Sequence, residues 1–289
     1  LFSIIPAFFY SKVRGGKVIR AIDDLWPEYL YERGIFSSKI IQFFLNRLAK
    51  FSYIFPEYLF PLNNAVKEII HDSYKIDNKK FEVLSHGINI KKFTYSKKIR
   101  SDIFTLMYFG SLIESYDFDL IINAAKKLKE KNIQFIIRGR GKLLPYIKNQ
   151  KEKYNLNNLL IETDVIKNEE ISKILHKSDV LLAPMQKSKL ANYSLPTKIL
   201  EYQAVGRPII CCSNGAVGTY VEQTNSGLRA DQGNLESFID SILKLEADSK
   251  LCDILGENGR KNIEKEHTFE KIGIRLSLII DKIIKNNTN

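Results

Sequence analysis

The chain has 289 residues, of which 44% are hydrophobic and 27% charged. This composition is that of a globular protein of about two domains and excludes a chain that is disordered over most of its length. The net charge of +11 is compatible with a solvated lysine-rich surface, an anionic membrane surface or a phosphorylated ligand; because no zinc-finger, helix-turn-helix or aromatic RNA-binding pattern accompanies it, we expect no nucleic-acid partner.

The chain begins at Leu1, and residues 1–10 form an apolar run. The run is too short for a membrane span, which needs ~20 residues, and it lacks the charged start and cleavage site of a signal peptide. No later apolar run reaches the length of a span. Because the first residue is not Met, we expect the sequence to be a fragment whose beginning is missing.

Residues 18–22 predict a short strand, and the segment DLWPEYL follows it at residues 24–30. Asp24 and Trp26 should therefore lie at the carboxyl end of a strand, where an α/β sheet binds its ligands. We regard these two residues as candidates for ligand contacts, with a purely structural capping role as the equal alternative.

Residues 38–53 predict a helix with apolar residues on one broad face. The face consists of Ile40, Ile41, Phe44, Leu45, Leu48 and Phe51, and it is flanked by Lys39, Arg47 and Lys50. We expect this helix to pack on the sheet of its domain; the alternative is that it lies on a membrane surface. A helix over 65–71 and a strand over 81–84 complete this part of the chain.

From residue 105 onward, strands and helices alternate regularly. The predicted strands cover 105–110, 134–138, 159–163, 180–184 and 209–212, and the predicted helices cover 119–131, 143–154, 169–176, 216–224, 235–245 and 268–285, with one more between Pro196 and Gly206. This alternation predicts an α/β fold with a parallel, doubly wound sheet, which binds ligands at the carboxyl ends of its strands. The tail after Lys285 is expected to be disordered.

The three cysteines indicate a reducing environment. Cys211 and Cys212 are adjacent in a predicted buried strand, and Cys252 lies far along the chain, which is neither a disulfide framework nor a metal-binding spacing. Buried free thiols fit a reducing cytoplasm. We therefore expect a cytoplasmic protein, with peripheral association at the inner face of the membrane as an additional possibility.

The most informative stretch of the sequence is SLPTKILEYQAVGRPII, residues 194–210. Pro196 fits the first turn of a helix because its φ angle is preset and it has no N–H to leave unpaired. Gly206 and Pro208 fit the helix end, and an apolar strand follows. The N-terminus of such a helix, beside the end of a parallel strand, favours phosphate, and the carboxylate of Glu201 can accept hydrogen bonds from sugar hydroxyls.

The segment PTKILEYQAVGRPII resembles the nucleotide-sugar motif of family 4 glycosyltransferases, which runs Pro-Ser-Lys and then Glu-Tyr-x-Ala-x-Gly-x-Pro. SHGINIKKF, residues 85–93, is similar to the segment that closes the first domain in that family. The resemblance implies the GT-B fold, an α/β architecture of two Rossmann-like domains with parallel doubly wound sheets, the first of them incomplete here. The implied divisions are an acceptor-side domain over 1–92, a linker over 93–102, a nucleotide-sugar domain over 103–270 and a C-terminal helix over 271–289 that returns to the first domain.

The resemblance also implies a reaction. A glycosyltransferase of this family moves a sugar from a nucleotide diphosphate donor, here expected to be a UDP-sugar, to an acceptor hydroxyl with retention of anomeric configuration. It requires no metal ion or other cofactor. The DLWPE segment is similar to relatives that build polysaccharide or O-antigen repeat units, often from UDP-N-acetylated aminosugars. The implied acceptor is therefore a glycan or a lipid-linked sugar, which fits attraction to an anionic membrane surface.

The family's binding residues carry over to matching positions of this sequence. The donor diphosphate falls to Gly110, Ser111, Leu195, Pro196, Thr197 and Lys198, the ribose to Glu201, and the base to Arg138, Gly139, Arg140, Asp164 and Val165. We place Asp24 and Trp26 on the acceptor side. For Lys198 the structural alternative is a solvated lysine on an ordinary capped helix.

The usual phosphate charges of the family are missing at two places. Ser111 stands where an arginine often follows the glycine, and the region of a second cation reads Ser115, Tyr116, Asp117. Arg138 and Arg140, in the next loop, are the residues that could supply charge instead.

The catalytic residues stay unassigned from the sequence. Tyr193 stands eight positions before Glu201, where the family often has a second glutamate beside the donor sugar. A tyrosine offers a hydrogen bond but no negative charge to steady a developing oxocarbenium ion. Tyr193 and His86 are the candidates, although His86 could simply be an interface residue.

Two other functions are compatible with the sequence. A GT-B nucleotide-sugar epimerase would turn over without an acceptor, and it predicts pairs of histidines or carboxylates in the cleft, which we do not find. A non-catalytic or truncated nucleotide-sugar-binding protein is favoured by Tyr193, by Ser111 and by the expected loss of the start.

Overall fold

A computed structural model describes residues 1–32, 34–97, 99, 101–188 and 191–285. These residues form two compact units. Unit 1 contains Leu1–His86, Tyr193–Leu195 and the chain from Ile272 on, and unit 2 contains Gly87–Asn192 and Pro196–Lys271. The tail after Lys285, which we expected to be disordered, lies outside the described residues.

Unit 1 is built on a short parallel pair of strands with helices around it. Its elements are α1 (Ile4–Arg14), β1 (Ile19–Ile22), α2 (Glu28–Glu32), α3 (Lys39–Ile54), β2 (Tyr58–Pro61) and α4 (Asn64–Tyr74). Ile19 of β1 is opposite Tyr58 of β2 in a parallel register. The sequence missed α1 and β2, and it correctly indicated β1, α3 and α4. The face of α3 that was expected to pack is wrong: Ile40 and Phe44 are exposed, and Ala49 and Tyr53 lie on the buried side.

The strand predicted over 81–84 is wrong in extent. Phe81 forms a single parallel bridge with Leu59, and the amides of Glu82 and Leu84 donate to carbonyls of β2. Because β2 ends at Pro61, which has no N–H to donate, the ladder on this side stays incomplete.

Unit 2 alternates strands and helices around one sheet. Its elements are β3 (Phe104–Phe109), α5 (Phe118–Lys127), β4 (Ile133–Arg138), α6 (Leu144–Lys153), β5 (Leu159–Glu162), α7 (Ile171–Leu175), β6 (Val180–Pro184), α8 (Thr197–Ala204), β7 (Ile209–Cys212), α9 (Ala216–Gln223), β8 (Gly227–Ala230), α10 (Leu235–Ala247) and α11 (Ser249–Asn262). A last helix, α12 (Phe269–Lys285), begins in unit 2 and belongs to unit 1 from Ile272. The helix predicted over 169–176 is a 3-10 turn, Asn168–Glu170, followed by the short α7.

The sheet of unit 2 has the order β5-β4-β3-β6-β7-β8, and all its strands are parallel. The strands β6 and β7 are buried along their whole length because helices cover both faces. The chain order reverses between β3 and β6, and a doubly wound sheet binds its ligands outside the carboxyl ends of the strands at such a point.

The helix of the PTKILEYQAVGRPII segment is α8, and its ends are those that the sequence predicted. Pro196 precedes the first helical residue, and Gly206 adopts a φ of +70° just after the last turn. Glycine fits this left-handed conformation at a helix end. The buried side of α8 consists of Ile199, Leu200, Tyr202, Gln203 and Ala204. This packing fixes the N-terminus of α8 next to the strand ends.

Candidate functional site

Two turns at the carboxyl ends of β3 and β4 form the backbone part of the candidate site. The amide of Gly110 donates a hydrogen bond to the carbonyl of Arg138 (3.0 Å), and the amide of Leu112 donates to that of Arg140 (2.8 Å). A Cβ atom at Gly139 would collide with the carbonyl oxygen of Gly110, so the close approach of the turns requires glycine. Gly110 and Gly139, predicted for the diphosphate and for the base, are therefore neighbours.

Lys198, in the first turn of α8, reaches over the end of β3. Its Nζ donates a hydrogen bond to the Oη of Tyr108 (2.9 Å), which in turn donates to the carbonyl of Ser111 (2.6 Å). The amine lies where a Cβ on Gly110 would be, and Gly110 has a φ of +142°. Glycine at this position thus leaves room for the amine beside the turn where we predict the diphosphate.

The charges of Lys198 and Glu201 influence each other because the two residues are three positions apart on α8. Burial lowers the pKa of the Lys198 amine to about 7, and the nearby Glu201 carboxylate opposes this effect. Burial raises the pKa of Glu201, and Lys198 opposes that shift. No described residue donates a hydrogen bond to the Glu201 carboxylate, so its oxygens can accept hydrogen bonds from a ligand.

The N-terminus of α8 offers backbone donors. Pro196 precedes the helix and provides no side-chain cap. Within the described ranges, no acceptor takes a hydrogen bond from the amide of Thr197 or of Lys198. Unpaired amides at a helix N-terminus, together with the helix dipole, favour an anion.

Tyr202 fixes α8 to β3, and the sequence did not reveal this role. Its Oη donates a hydrogen bond to the carbonyl of Phe109 (3.0 Å) and accepts one from the amide of the same residue (3.1 Å). The tyrosine is fully buried. It therefore holds the helix that carries Lys198 and Glu201 at the end of the strand that leads to Gly110.

The two arginines that we considered as substitutes for the missing phosphate charges have partners within unit 2. Arg138 is 8% exposed and forms an ion pair with Glu162 across β4 and β5. The Nε of Arg140 donates to the carbonyl of Thr163 (2.6 Å). The predicted base residues Asp164 and Val165 follow β5 and are exposed, so the base candidates share one end of the sheet.

The remaining donor-side and catalytic candidates belong to unit 1. Tyr193 and Leu195 are in that unit, whereas Pro196 begins the part of unit 2 that carries Lys198. The carbonyl of Tyr193 accepts a hydrogen bond from the Nδ2 of Asn63 (3.0 Å). The Oδ1 of Asn63 caps α4 by accepting from the amide of Val66 (2.9 Å). No local pattern predicts this contact, since Asn63 has the character of an ordinary helix cap.

The acceptor-side candidates lie just beyond β1, as the sequence predicted. Asp24 is exposed and Trp26 is half-buried. The carbonyl of Trp26 accepts a hydrogen bond from the Oη of Tyr53 on α3 (3.3 Å). His86, the other catalytic candidate, is half-buried and is the last residue of the first segment of unit 1.

Two kinds of feature are absent from the described ranges. No helix there has both the length and the apolar content needed to cross a membrane. Within the same ranges, His, Cys, Asp and Glu side chains do not gather in groups of three or more that could hold a metal ion.

Comparison with known proteins places this arrangement in a family. Residues 89–262 match the model of the glycosyl transferases group 1. An uncharacterized glycosyltransferase of Methanocaldococcus jannaschii is 28% identical over 196 residues, which cover 67% of this chain and 52% of that protein. The UDP-Gal:alpha-D-GlcNAc-diphosphoundecaprenol alpha-1,3-galactosyltransferase of Escherichia coli is 27% identical over 219 residues, covering 70% of this chain and 54% of that protein. The chain thus spans about half the length of these curated relatives.

A solved structure confirms the fold. The Anabaena protein HepE, crystallised in complex with UDP-glucose, superimposes with a TM-score of 0.75 at 12% identity, covering 96% of this chain and 76% of that one. The predicted α/β, GT-B fold with parallel sheets is therefore confirmed. Because the family model matches more than half of the residues, including Gly110 and the helix α8 that carries Lys198 and Glu201, the chain belongs to the glycosyl transferases group 1.

Proposed function

We propose that this chain is part of a retaining, family 4 glycosyltransferase that moves a sugar from a UDP-sugar to a hydroxyl of a glycan or a lipid-linked acceptor. The observation that carries the proposal is that α8 bears both the Lys198 amine, which lies against Gly110, and the Glu201 carboxylate, to which no described residue donates a hydrogen bond. A cation and a carboxylate one helical turn apart suit the diphosphate and the ribose of one nucleotide.

The donor assignment follows the geometry of unit 2. The amides of Thr197 and Lys198, which have no acceptor among the described residues, and the amine of Lys198 would take the diphosphate together with Gly110 and Ser111. The base would lie toward β5, near Gly139, Arg140 and Val165. Uridine is favoured because the E. coli relative is named for UDP-Gal and HepE was crystallised with UDP-glucose.

Charge stabilisation of the leaving group would supply most of the rate. As the bond from the sugar to the diphosphate breaks, negative charge grows on the phosphate oxygens. Fixed amides and an ammonium group aimed at those oxygens lower the barrier without having to reorganise. We assign no resident metal ion to this role. Tyr193 and His86 are the catalytic candidates, and Leu195 stays a candidate for the donor diphosphate.

The acceptor assignment rests on the relatives and on unit 1. The E. coli relative is named for an acceptor carried on diphosphoundecaprenol, which is a lipid. Asp24 and Trp26 lie beyond β1, where a ligand of a parallel sheet is expected. We therefore assign these two residues to acceptor binding.

We also place the protein in the cytoplasm, peripherally bound to the anionic inner face of the membrane, with α3 as the contact. Opposite its buried side, α3 carries Ile40, Phe43 and Phe44, which are 71%, 54% and 66% exposed. Lys39, Arg47 and Lys50 accompany them, and the helix contains no acidic residue. Exposed aromatic residues beside unbalanced positive charge match the chemistry of an anionic lipid surface.

Thermal melting of the purified chain against UDP, GDP, ADP and their sugar conjugates tests the donor site. Binding to the folded state raises the melting temperature, so we expect a shift with uridine nucleotides only. Glu201→Ala and Lys198→Ala should abolish it. Glu130→Ala, which changes an exposed glutamate before β4 at the opposite end of the strands, should not.

The outcomes separate the candidate functions. Absence of a shift with every nucleotide, for a chain shown to be folded, contradicts the proposed donor site. Nucleotide binding without release of UDP in the presence of lipid-diphosphate sugars would instead favour the non-catalytic binding protein. Turnover without any acceptor would favour the epimerase.

A further inference from the structure

The charge around the predicted diphosphate position depends on the state of Lys198. The two cations that the family pattern leads one to expect are replaced here by Ser111 and by the stretch that contains Tyr116. Arg138 is engaged in its ion pair with Glu162. Whether the Lys198 amine carries its proton therefore decides how strongly this place attracts an anion.

Two tyrosine rings enclose that amine. The Nζ of Lys198 is 3.9 Å from the ring centroid of Tyr116 and 4.3 Å from that of Tyr108. The rings are 5.2 Å apart and inclined by 64°, so they form a corner with the amine inside it. Tyr108 comes from β3, whereas Tyr116 comes from the loop before α5.

The loop that carries Tyr116 is fixed against β6. Tyr116 forms an antiparallel bridge with Met185, and the amide of Asp117 donates to the carbonyl of Pro184 (2.8 Å). The amide of Gln186 donates to the carbonyl of Ser115 (2.9 Å). The ring of Tyr116 is itself buried, so its position is set by the fold rather than by a flexible side chain.

The groups that face the amine act in opposite directions. Burial removes water and favours the neutral amine, which lowers the pKa of Lys198. The Glu201 carboxylate on α8 and the Oη of Tyr108, which accepts the hydrogen bond of the amine, favour the charged form. The faces of the two aromatic rings favour it further, because the quadrupole of each ring attracts a cation.

We propose that Tyr116, together with Tyr108, is a positioning residue that keeps the Lys198 amine charged and above Gly110. The amine then supplies the positive charge that the two missing cations would otherwise supply to the diphosphate. Tyr116 would contact no substrate atom and would act through Lys198. This inference rests on the proposed function for its consequence, the binding of the donor diphosphate. The state of Lys198 itself can be measured without any nucleotide.

The first experiment measures the protonation of Lys198 in the free protein. Only the neutral amine reacts with an acylating ester, so the rate of Lys198 acylation, followed by mass spectrometry across pH, reports its pKa. We expect Tyr116→Leu to move the midpoint to lower pH. Acylation on the acidic side of the midpoint should be about three- to thirty-fold faster, which corresponds to the free energy of a lost cation–π contact in a desolvated place. Tyr116→Phe retains the ring face and should keep the wild-type midpoint.

The second experiment measures UDP affinity across the same pH range. The charged amine binds the diphosphate, so affinity should fall as pH rises through the pKa of Lys198. In Tyr116→Leu this loss of affinity should occur at lower pH. In Tyr116→Phe it should occur at the same pH as in the wild-type protein. The matched control is Tyr154→Leu, which removes a ring just after α6, outside the site, whose centroid is 4.2 Å from the Nζ of Lys126 on α5.

Two results would overturn the inference. If Tyr116→Leu lowers the melting temperature and weakens UDP equally at every pH while the acylation midpoint stays in place, Tyr116 has only a structural role. If Tyr116→Phe shifts the midpoint as far as Tyr116→Leu does, the ring face is not the cause. Failure of the wild-type chain to bind UDP, with the predicted acylation shifts present, would instead contradict the proposed donor site alone.

Discussion

The two units differ in where their apolar side chains point. In unit 2, the residues of β6 and β7 are covered by helices on both faces, and Leu181 is fully buried. In unit 1, α3 buries Leu45, Ala49 and Tyr53 and also exposes a second apolar stripe on its opposite side. The apolar pattern of unit 2 is explained by its own core. That of α3 is only half explained by packing, since its other half stays exposed in the described fold.

The largest expected effect tests the covered side of this comparison. Leu181→Ala leaves a cavity between helices and sheet and should lower the free energy of unfolding by about 3 kcal/mol. Phe44→Ala removes more atoms but from an exposed position, and should change it by less than about 0.5 kcal/mol. Urea denaturation of both variants measures the difference. Equal losses would show that Phe44 is packed after all, and the contrast between the units would fail.

The next effect tests the uncovered side. The double variant Phe43→Ser and Phe44→Ser should lower partitioning onto vesicles of phosphatidylcholine and phosphatidylglycerol by about 30-fold, because two apolar side chains no longer enter the interface. Cosedimentation measures it. Ile254→Ser, which changes an exposed apolar residue on α11, is the control. If the wild-type chain forms dimers and does not bind vesicles, the partner of the exposed apolar residues of α3 is a second copy of the chain.

A smaller effect concerns the attachment of α8. Tyr202→Phe keeps the buried ring but leaves the amide and the carbonyl of Phe109 without their partner, which should cost about 1.5 kcal/mol of unfolding free energy. UDP affinity should fall as well, since α8 carries Lys198 and Glu201. Tyr220→Phe, which alters a half-buried, hydrogen-bonded tyrosine of unit 2, controls for the loss of a hydroxyl. Unchanged UDP affinity in a destabilised Tyr202→Phe protein would separate folding from the site.

The smallest effect concerns charge on α3. Arg47→Gln should weaken binding to anionic vesicles by about five-fold, since each basic residue near such a surface contributes about 1 kcal/mol. It should leave binding to pure phosphatidylcholine unchanged. Lys173→Gln, an exposed lysine on α7, should have no effect on either vesicle. Equal losses for the two variants would mean that net charge, rather than the stripe, drives the attraction.

Much of unit 2 could be predicted because its apolar runs are short and bounded by helix and turn residues. The strands over 180–184 and 209–212 were predicted at their observed limits. β8 was missed because Gly227–Ala230 is an edge strand with Gly and Arg and only one buried residue. α11 was missed because its buried side contains Gly256 and Gly259, which local propensity counts against a helix. Gly256 is required by a tertiary contact, because a Cβ atom at this position would collide with the backbone of Gly206.

The candidate site likewise has a part that the sequence predicts and a part that it does not. Lys198 and Glu201 could be identified because their spacing and the residues around them form a continuous motif. The contacts that position them join distant parts of the chain, as Tyr202 with Phe109 and Tyr116 with Lys198 do. No local pattern encodes such contacts. The roles of the two tyrosines became visible only in three dimensions.

The paired hydrogen bonds of Tyr202 have a consequence for the shape of the sheet. β3 and β6 are registered only at Leu106 with Val180 and at Met107 with Leu181. Beyond that point, the peptide groups of Phe109 bond to a phenol instead of a neighbouring strand. One side chain thus satisfies the amide and the carbonyl of Phe109 at a point where β3 and β6 are no longer paired. Protection of the Phe109 amide hydrogen from solvent exchange should therefore depend on a single hydroxyl.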